Sequence, residues 1–262
     1  MFTRCLQAAG LLVLVCHWTF AKVMVINGLT HVHAGRQGQL LKGKIQVKNV
    51  GATTEKILIY QNGLLQTCDE RNDFVPVEGQ VRGLGKWLET NVDETVIQAG
   101  ETYEIQYTIN VPQDTSLSGS YWSLLMIEGA EPVNKALNSQ FTVGSKIRYA
   151  VQIIADIGTP ENPKLNFEKV DLKQAESGNK AVRAKLKNLG KFMAVPKLTL
   201  EIYSKDGQKI KTFESTYQKI YPFTCKDFAI EISGLVGGKY DAVLVADYGQ
   251  DLFGTNLVID IE

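Results

Sequence analysis

The chain has 262 residues, room for one large domain or two of ordinary size. Its 28 basic residues balance 28 acidic ones, which removes the simplest electrostatic case for a nucleic-acid or polybasic membrane partner. A hydrophobic share of 44% suits a folded protein, and no low-complexity tract or long charge run points to disorder.

The chain begins with an export pattern. "MFTR" is a short basic start, "CLQAAGLLVLVCHW" an apolar run, and "TFA" sets the small residues Thr19 and Ala21 at a cleavage site. The pattern predicts a signal peptide over 1–21, cleaved after Ala21, and a mature protein in the periplasm or at the cell surface. No later stretch has the apolar length to span a bilayer. Cys5 and Cys16 leave with the signal; Cys68 and Cys225 remain. They fall in different predicted domains, no spacing supports a bond between them, and stability is expected from the cores alone.

From Lys22 onward the sequence reads as strands. "GKIQVKN", "EKILIYQ", "ETYEIQYTINV", "SYWSLLMIE", "RYAVQIIADI", "KLTLEIYS", "KDFAIEIS", "KYDAVLVAD" and "NLVIDIE" are short, rich in β-branched and aromatic residues, and mostly alternating. "NVG", "QNG", "QAG", "NLG", "KDG" and "VGG" punctuate them as turns. No segment keeps a helical period over three turns.

The two halves repeat each other. "IQVKNVGATTEKILIYQNG" (45–63) parallels "AKLKNLGKFMAVPKLTLEIYSKDG" (184–207), each with a strand, Lys-Asn-x-Gly, and a strand ending Ile-Tyr. "YEIQYTINVPQDTSLSGSYWSLLMIEG" (103–129) parallels "DFAIEISGLVGGKYDAVLVADYG" (227–249). The period is a domain length, so the fold class is all-β: two tandem immunoglobulin-like sandwiches. The first spans 22–145, with an insertion over 64–92 that reads as a functional or mobile loop. The second spans 146–262. "SQFTVGSKIRYAVQII" is read as one continuous strand crossing the boundary near Gly144–Ser145.

"GSYWSLLMIEG" (119–129) departs from simple alternation. Tyr121, Leu125 and Ile127 form one apolar row, and Trp122, Leu124 and Met126 another on the opposite face. One row fills the core. The second can meet the other domain, the insertion or a partner, and the insertion or a partner is the expectation, which makes Trp122, Leu124 and Met126 candidate partner-binding residues.

The search for chemistry fails. His31 and His33 in "HVH" share a strand face and could chelate a metal, but no third ligand or zinc-type spacing accompanies them, so they read as a solvated polar face. "GLGK" (83–86) is too short for a phosphate loop, and no serine sits in a nucleophile elbow. No catalytic residue, metal or cofactor is expected, and the reading is non-enzymatic.

The plan of signal peptide and two sandwiches resembles the periplasmic pilus-assembly chaperones. The local match is "TVGSKIRYAVQI" (142–153), similar to the last strand of those chaperones' first domain. The resemblance maps their basic residue to Arg148, with Lys146 beside it, as an anchor for the terminal carboxylate of a pilus subunit. It makes Phe141 and Val143 donor-strand candidates. The first strand, "KVMVINGLTHVH", has no arginine at the matching place. The mature chain also looks like a poorly characterised family of secreted two-sandwich proteins described as chaperone-like, and is similar to proteins that bind WxL-type surface proteins. These likenesses imply a protein that binds another exported subunit or surface protein by edge-strand pairing, in assembly of a fibre or surface complex. The alternatives are a structural component or adhesin of such a complex, and a wall- or glycan-binding module.

Overall fold

The computed structural model describes residues 22–68, 72–130, 146–249 and 251–261. The predicted signal peptide, Phe141, Val143 and the Gly144–Ser145 boundary lie outside them.

The first sandwich is built from β1 (Val23–Val25), β2 (Thr30–Gly35), β3 (Leu40–Asn49), β4 (Glu55–Gln66), β5 (Asn72–Val75), β6 (Leu88–Thr90), β7 (Glu94–Ile97), β8 (Thr102–Asn110), β9 (Gly119–Gly129) and β10 (Arg148–Ile157). One sheet runs β1-β3-β8-β6; the facing sheet runs β2-β10-β9-β4-β5, with β7 also on β4. Alternation turns Ile45 and Val47 of β3, Ile105 and Ile109 of β8, Leu125 and Ile127 of β9, and Val151 and Ile153 of β10 into one core. β2 pairs with β10 in parallel, and every other ladder is antiparallel.

The second sandwich comprises β11 (Leu165–Gln174), β12 (Lys180–Asn188), β13 (Lys197–Tyr203), β14 (Lys209–Glu214), β15 (Cys225–Ile232), β16 (Gly238–Asp247) and β17 (Leu252–Ile261). Its sheets run β11-β12-β15 and β14-β13-β16-β17 around a core that includes Leu186, Leu200, Phe228 and Leu244. The all-β, two-sandwich reading holds.

Two details of the chain path differ from expectation. β10 does not cross between domains. It pairs with β9 along its whole length, buries Val151, Ile153 and Ile157 in the first core, and stops at Gly158, whose φ of 90° breaks the extended run. Residues 158–164 then lead to β11, so the first sandwich extends through Ile157 and the border at 145/146 falls one strand early. The insertion is also anchored: the 82–84 stretch pairs with Trp122 where β9 has outrun β4, and it places Leu84 in the core.

Among the described residues no helix is long and apolar enough to cross a membrane.

Candidate functional site

β9 is buried on both faces. Leu125 and Ile127 belong to the first core, while Trp122, Leu124 and Met126 join Leu64, Ile154 and Tyr221 in a separate cluster, with Met193 and Tyr60 at its margin. Tyr221 and Met193 come from the second sandwich, so the second sandwich covers the outer row together with Leu64 of the insertion. Trp122 stacks on Tyr221 with ring centroids 4.3 Å apart and gives its indole N–H to the Leu64 carbonyl at 2.9 Å. Trp122, Leu124 and Met126 therefore do not form a free partner surface in this arrangement: the loop between β14 and β15 occupies it.

Polar groups fix the same interface. Gln66 donates its Nε2 to the Lys219 carbonyl (2.9 Å) and accepts from the Tyr221 N–H (3.0 Å) and the Thr224 hydroxyl (2.9 Å). Ser120 N–H donates to the Lys191 carbonyl, and Ser120 Oγ accepts from Met193 N–H and donates to Asp156. Gly119 is required here, because a Cβ at that position would lie 2.1 Å from the Lys191 oxygen. Lys219 donates to Thr30 and, at 2.7 Å, to Gln152; burial holds its ammonium below the usual lysine range. Burial likewise raises the Asp156 carboxyl and the Tyr221 phenol.

Cys68 and Cys225 are joined as a disulfide, with Cα atoms 4.6 Å apart. This overturns the expectation of unpaired cysteines. The end of β4 and the 64–68 stretch reach past the first sheet to the start of β15, so residues 157 apart in sequence become neighbours. Sequence reasoning missed Gln66, Lys219, Tyr221 and this bond. The one available signal was the aromatic loop "IYPFT" running directly into Cys225.

Lys146 and Arg148 come together on a carboxylate of their own domain. Glu128, buried at the end of β9, accepts from Arg148 Nε (2.8 Å), Lys146 Nζ (3.1 Å) and the Tyr60 hydroxyl (2.8 Å). The Tyr60 hydrogen bond first, then those of the two cations, hold the Glu128 carboxyl below its usual range against the opposing effect of burial. Arg148 stays about half exposed, at 46% of its side chain. Beside it lies an unpaired edge. β2 covers β10 over Gln152–Ile157, whereas Arg148 to Val151 pair with β9 on one side and, among the described residues, with no strand on the other.

His31 and His33 are not on a solvated face. Both point inward and meet Tyr107 of the opposite sheet, with His31 Nδ1 at 2.9 Å and His33 Nε2 at 2.8 Å from the phenol oxygen. The described residues contain no group of three His, Cys, Asp or Glu that could hold a metal ion.

No family model matches the chain, and no curated protein matches its sequence. Among solved structures, the chain is similar to the class 5 fimbriae chaperone CfaA, at 14% identity over 92% of this chain and 99% of that one, with a TM-score of 0.47. It is similar to the YadV chaperone at 14% identity, 91% and 100% coverage and a TM-score of 0.46. The CupB2 chaperone of Pseudomonas aeruginosa gives 14%, 91% and 100%, and 0.44.

Proposed function

We propose that this protein is an exported, non-enzymatic assembly factor that holds another exported protein by strand pairing along β10. The observation that carries the reading is the bare edge at Arg148 to Val151, where the main chain of a core strand lacks a second neighbour among the described residues. Such an edge is a template for an added strand, with affinity from main-chain hydrogen bonds and specificity from side-chain pockets. A shallow groove lined by Val23, Ile127, Ile147 and Tyr149, with the Lys22–Glu55 ion pair at its side, opens beside it and can take a side chain of the incoming strand. Arg148 and Lys146 stand at the same edge, where a carboxylate of the partner competes with Glu128 for them. Phe141 and Val143, which precede the edge in sequence and lie outside the described residues, remain part of this proposal as candidate partner-binding residues.

The test is site-specific photo-cross-linking in the native envelope. A cross-linker at Ile147 is expected to capture an exported protein, and the same group at Val258 on β17, the outer strand of the second sandwich, is expected to capture little. Adducts formed at Val258 and not at Ile147 would sink the assignment to β10.

A further inference from the structure

We propose that β2 is an acid-released latch over the β10 edge, with the Tyr107 hydroxyl as its catch. The consequence for partner binding rests on the reading of β10 given above; the latch itself rests on the geometry around Tyr107.

β2 is a six-residue edge strand. It attaches to its own sheet through parallel pairing with Gln152–Ile157, and Val32 on its outer face is 52% exposed. Its inner face carries His31 and His33, and both end on one phenol oxygen of the facing sheet. That oxygen is held by close packing of its ring. Tyr107 is 2% exposed and its ring lies across Gly43, where a Cβ would come within 2.2 Å of Cζ.

The hydrogen count decides what the catch can hold. A phenol has one donor and two acceptor sites. His31 Nε2 is buried without a partner, which favours the tautomer with its proton on Nδ1. His31 Nδ1–H then donates to Tyr107, and Tyr107 donates to the bare Nε2 of His33. Each of the two hydrogen bonds of the relay then has one donor and one acceptor while both rings are neutral. A proton added from solvent to His33 Nε2 makes that nitrogen a donor, so the phenol hydrogen loses its acceptor inside the protein. A proton added to His31 Nε2 creates a buried donor facing no acceptor. With both rings charged, two cations face one oxygen.

The surroundings offer no compensation. On β10, Ile153 and Ala155 stand in register beside His31 and His33, both fully buried. From β8 they meet Tyr107. On β3, Gly43 lies against the Tyr107 ring, and its neighbours Lys42 and Lys44 are exposed, Lys44 paired with Glu104. Lys219 reaches Thr30 from the second sandwich, and Arg36 follows β2 at the surface. Burial, and then the charge of His31, lower the His33 imidazole below its ordinary value. The sign follows for His33: with the strand unfastened its imidazole takes up a proton below about pH 6.5, and with the strand fastened it resists one. The latch is thus intact above that pH and weakens as pH falls through it toward the lowered value. Opening it bares Gln152–Ile157 and extends the free edge along the whole of β10.

Hydrogen exchange between pH 7.5 and 5.0, corrected for intrinsic rates, tests this without any client, so failure of the latch is distinguishable from failure of the binding reading. Protection over 30–35 and 152–157 is expected to fall by up to about tenfold per pH unit per proton below pH 6.5, while 40–49 and 102–110 hold. His31→Asn with His33→Gln, which keep hydrogen-bonding atoms near Nδ1 and Nε2 without titrating, should flatten that dependence. Constant protection in the wild type, or an equal fall in the double variant, overturns the latch. A thermal melt at pH 7.5 checks that the variant folds. If it does not, the wild-type imidazoles are titrated by NMR, and protonation at ordinary values with β2 still protected overturns the latch equally.

Discussion

The two sandwiches share a strand plan and a corner. In the first, β3 pairs with β8 and β4 with β9; in the second, β12 pairs with β15 and β13 with β16. At the end of β3, Asn49 is fully buried, donates to the Thr53 and Ile97 carbonyls and accepts from Gly51 N–H. At the end of β12, Asn188 is fully buried, donates to the Phe192 and Ile220 carbonyls and accepts from Gly190 N–H. The difference lies on one face. β9 is buried along both sides, whereas the outward side of β16, with Lys239, Asp241, Val243 and Val245, is partly or fully exposed. The first sandwich gives the outer row of β9, with Leu64 and Ile154, to its neighbour; the second answers with loops carrying Tyr221, Met193 and Lys219. An apolar outer row therefore reports a covering domain, and its absence on β16 reports none.

The largest expected effect comes from taking the cover away. Tyr221→Ala removes a buried ring stacked on Trp122 and should cost about 3–5 kcal/mol, as for other buried aromatics. Trp87 and Trp122 are the tryptophans beyond the predicted signal peptide, so in a Trp87→Phe background the emission of Trp122 should shift to the red and the melt should separate into two transitions. An unshifted spectrum with a single unchanged melt would mean that the β9 face is sealed by the insertion alone.

The Asn corners sharpen the comparison from the side of likeness. Asn49→Ala and Asn188→Ala each remove three buried or part-buried hydrogen bonds, at about 2–5 kcal/mol apiece. The two losses should agree within about 1 kcal/mol and fall in different domains, as read by denaturant unfolding with a probe in each sandwich. A corner that proved dispensable in one domain would reduce the internal repeat to a coincidence of sequence.

That likeness was legible in the residues. Lys-Asn-x-Gly recurs because the same buried side chain closes the same turn, and period-two alternation exposed nearly every strand. What stayed hidden needed knowledge of what lies across a gap. His31 and His33 looked solvated because the hydroxyl that binds them is contributed by Tyr107, more than seventy residues away. Cys68 and Cys225 looked unrelated because each sits in its own half of the repeat, and the repeat says nothing of where the insertion goes. "SQFTVGSKIRYAVQII" reads as a bridge between domains because a strand apolar on both faces gives no sign of which sheet owns it.

The disulfide tests whether the face-to-loop contact stands by noncovalent packing. Cys68→Ser with Cys225→Ser should cost about 2–4 kcal/mol. The loss should appear as weaker coupling between domains and faster exchange around Tyr221 and Thr224, with both cores intact. Loss of either core's protection would place the bond in a domain's own folding and not between the two.

The smallest effect belongs to the start of the last strand in each sandwich. In the first, Arg148 stands opposite Glu128; in the second, Leu252 stands opposite Asp247, with no cation at the matching place. On its other side Asp247 faces Lys197 of β13, so the second sandwich places its cation on a different strand, and a purely stabilising role for the half-exposed Arg148 should be slight. A double-mutant cycle of Glu128→Gln and Arg148→Met is expected to give a coupling of about 0.5–1 kcal/mol, because the guanidinium is half in water. The lowered Glu128 carboxyl fixes the pH sign. Its contribution is present above the unfolded carboxylate value of about 4.3 and is lost as pH falls through that value toward the lower folded one. In Glu128→Gln this acid limb should flatten. Against so small a stability term, the recovery of an envelope partner by Arg148→Met is the sensitive reading. A marked drop with a nearly unchanged melt would mark Arg148 as a binding residue that the second sandwich lacks, and full recovery would leave it as one half of a surface ion pair.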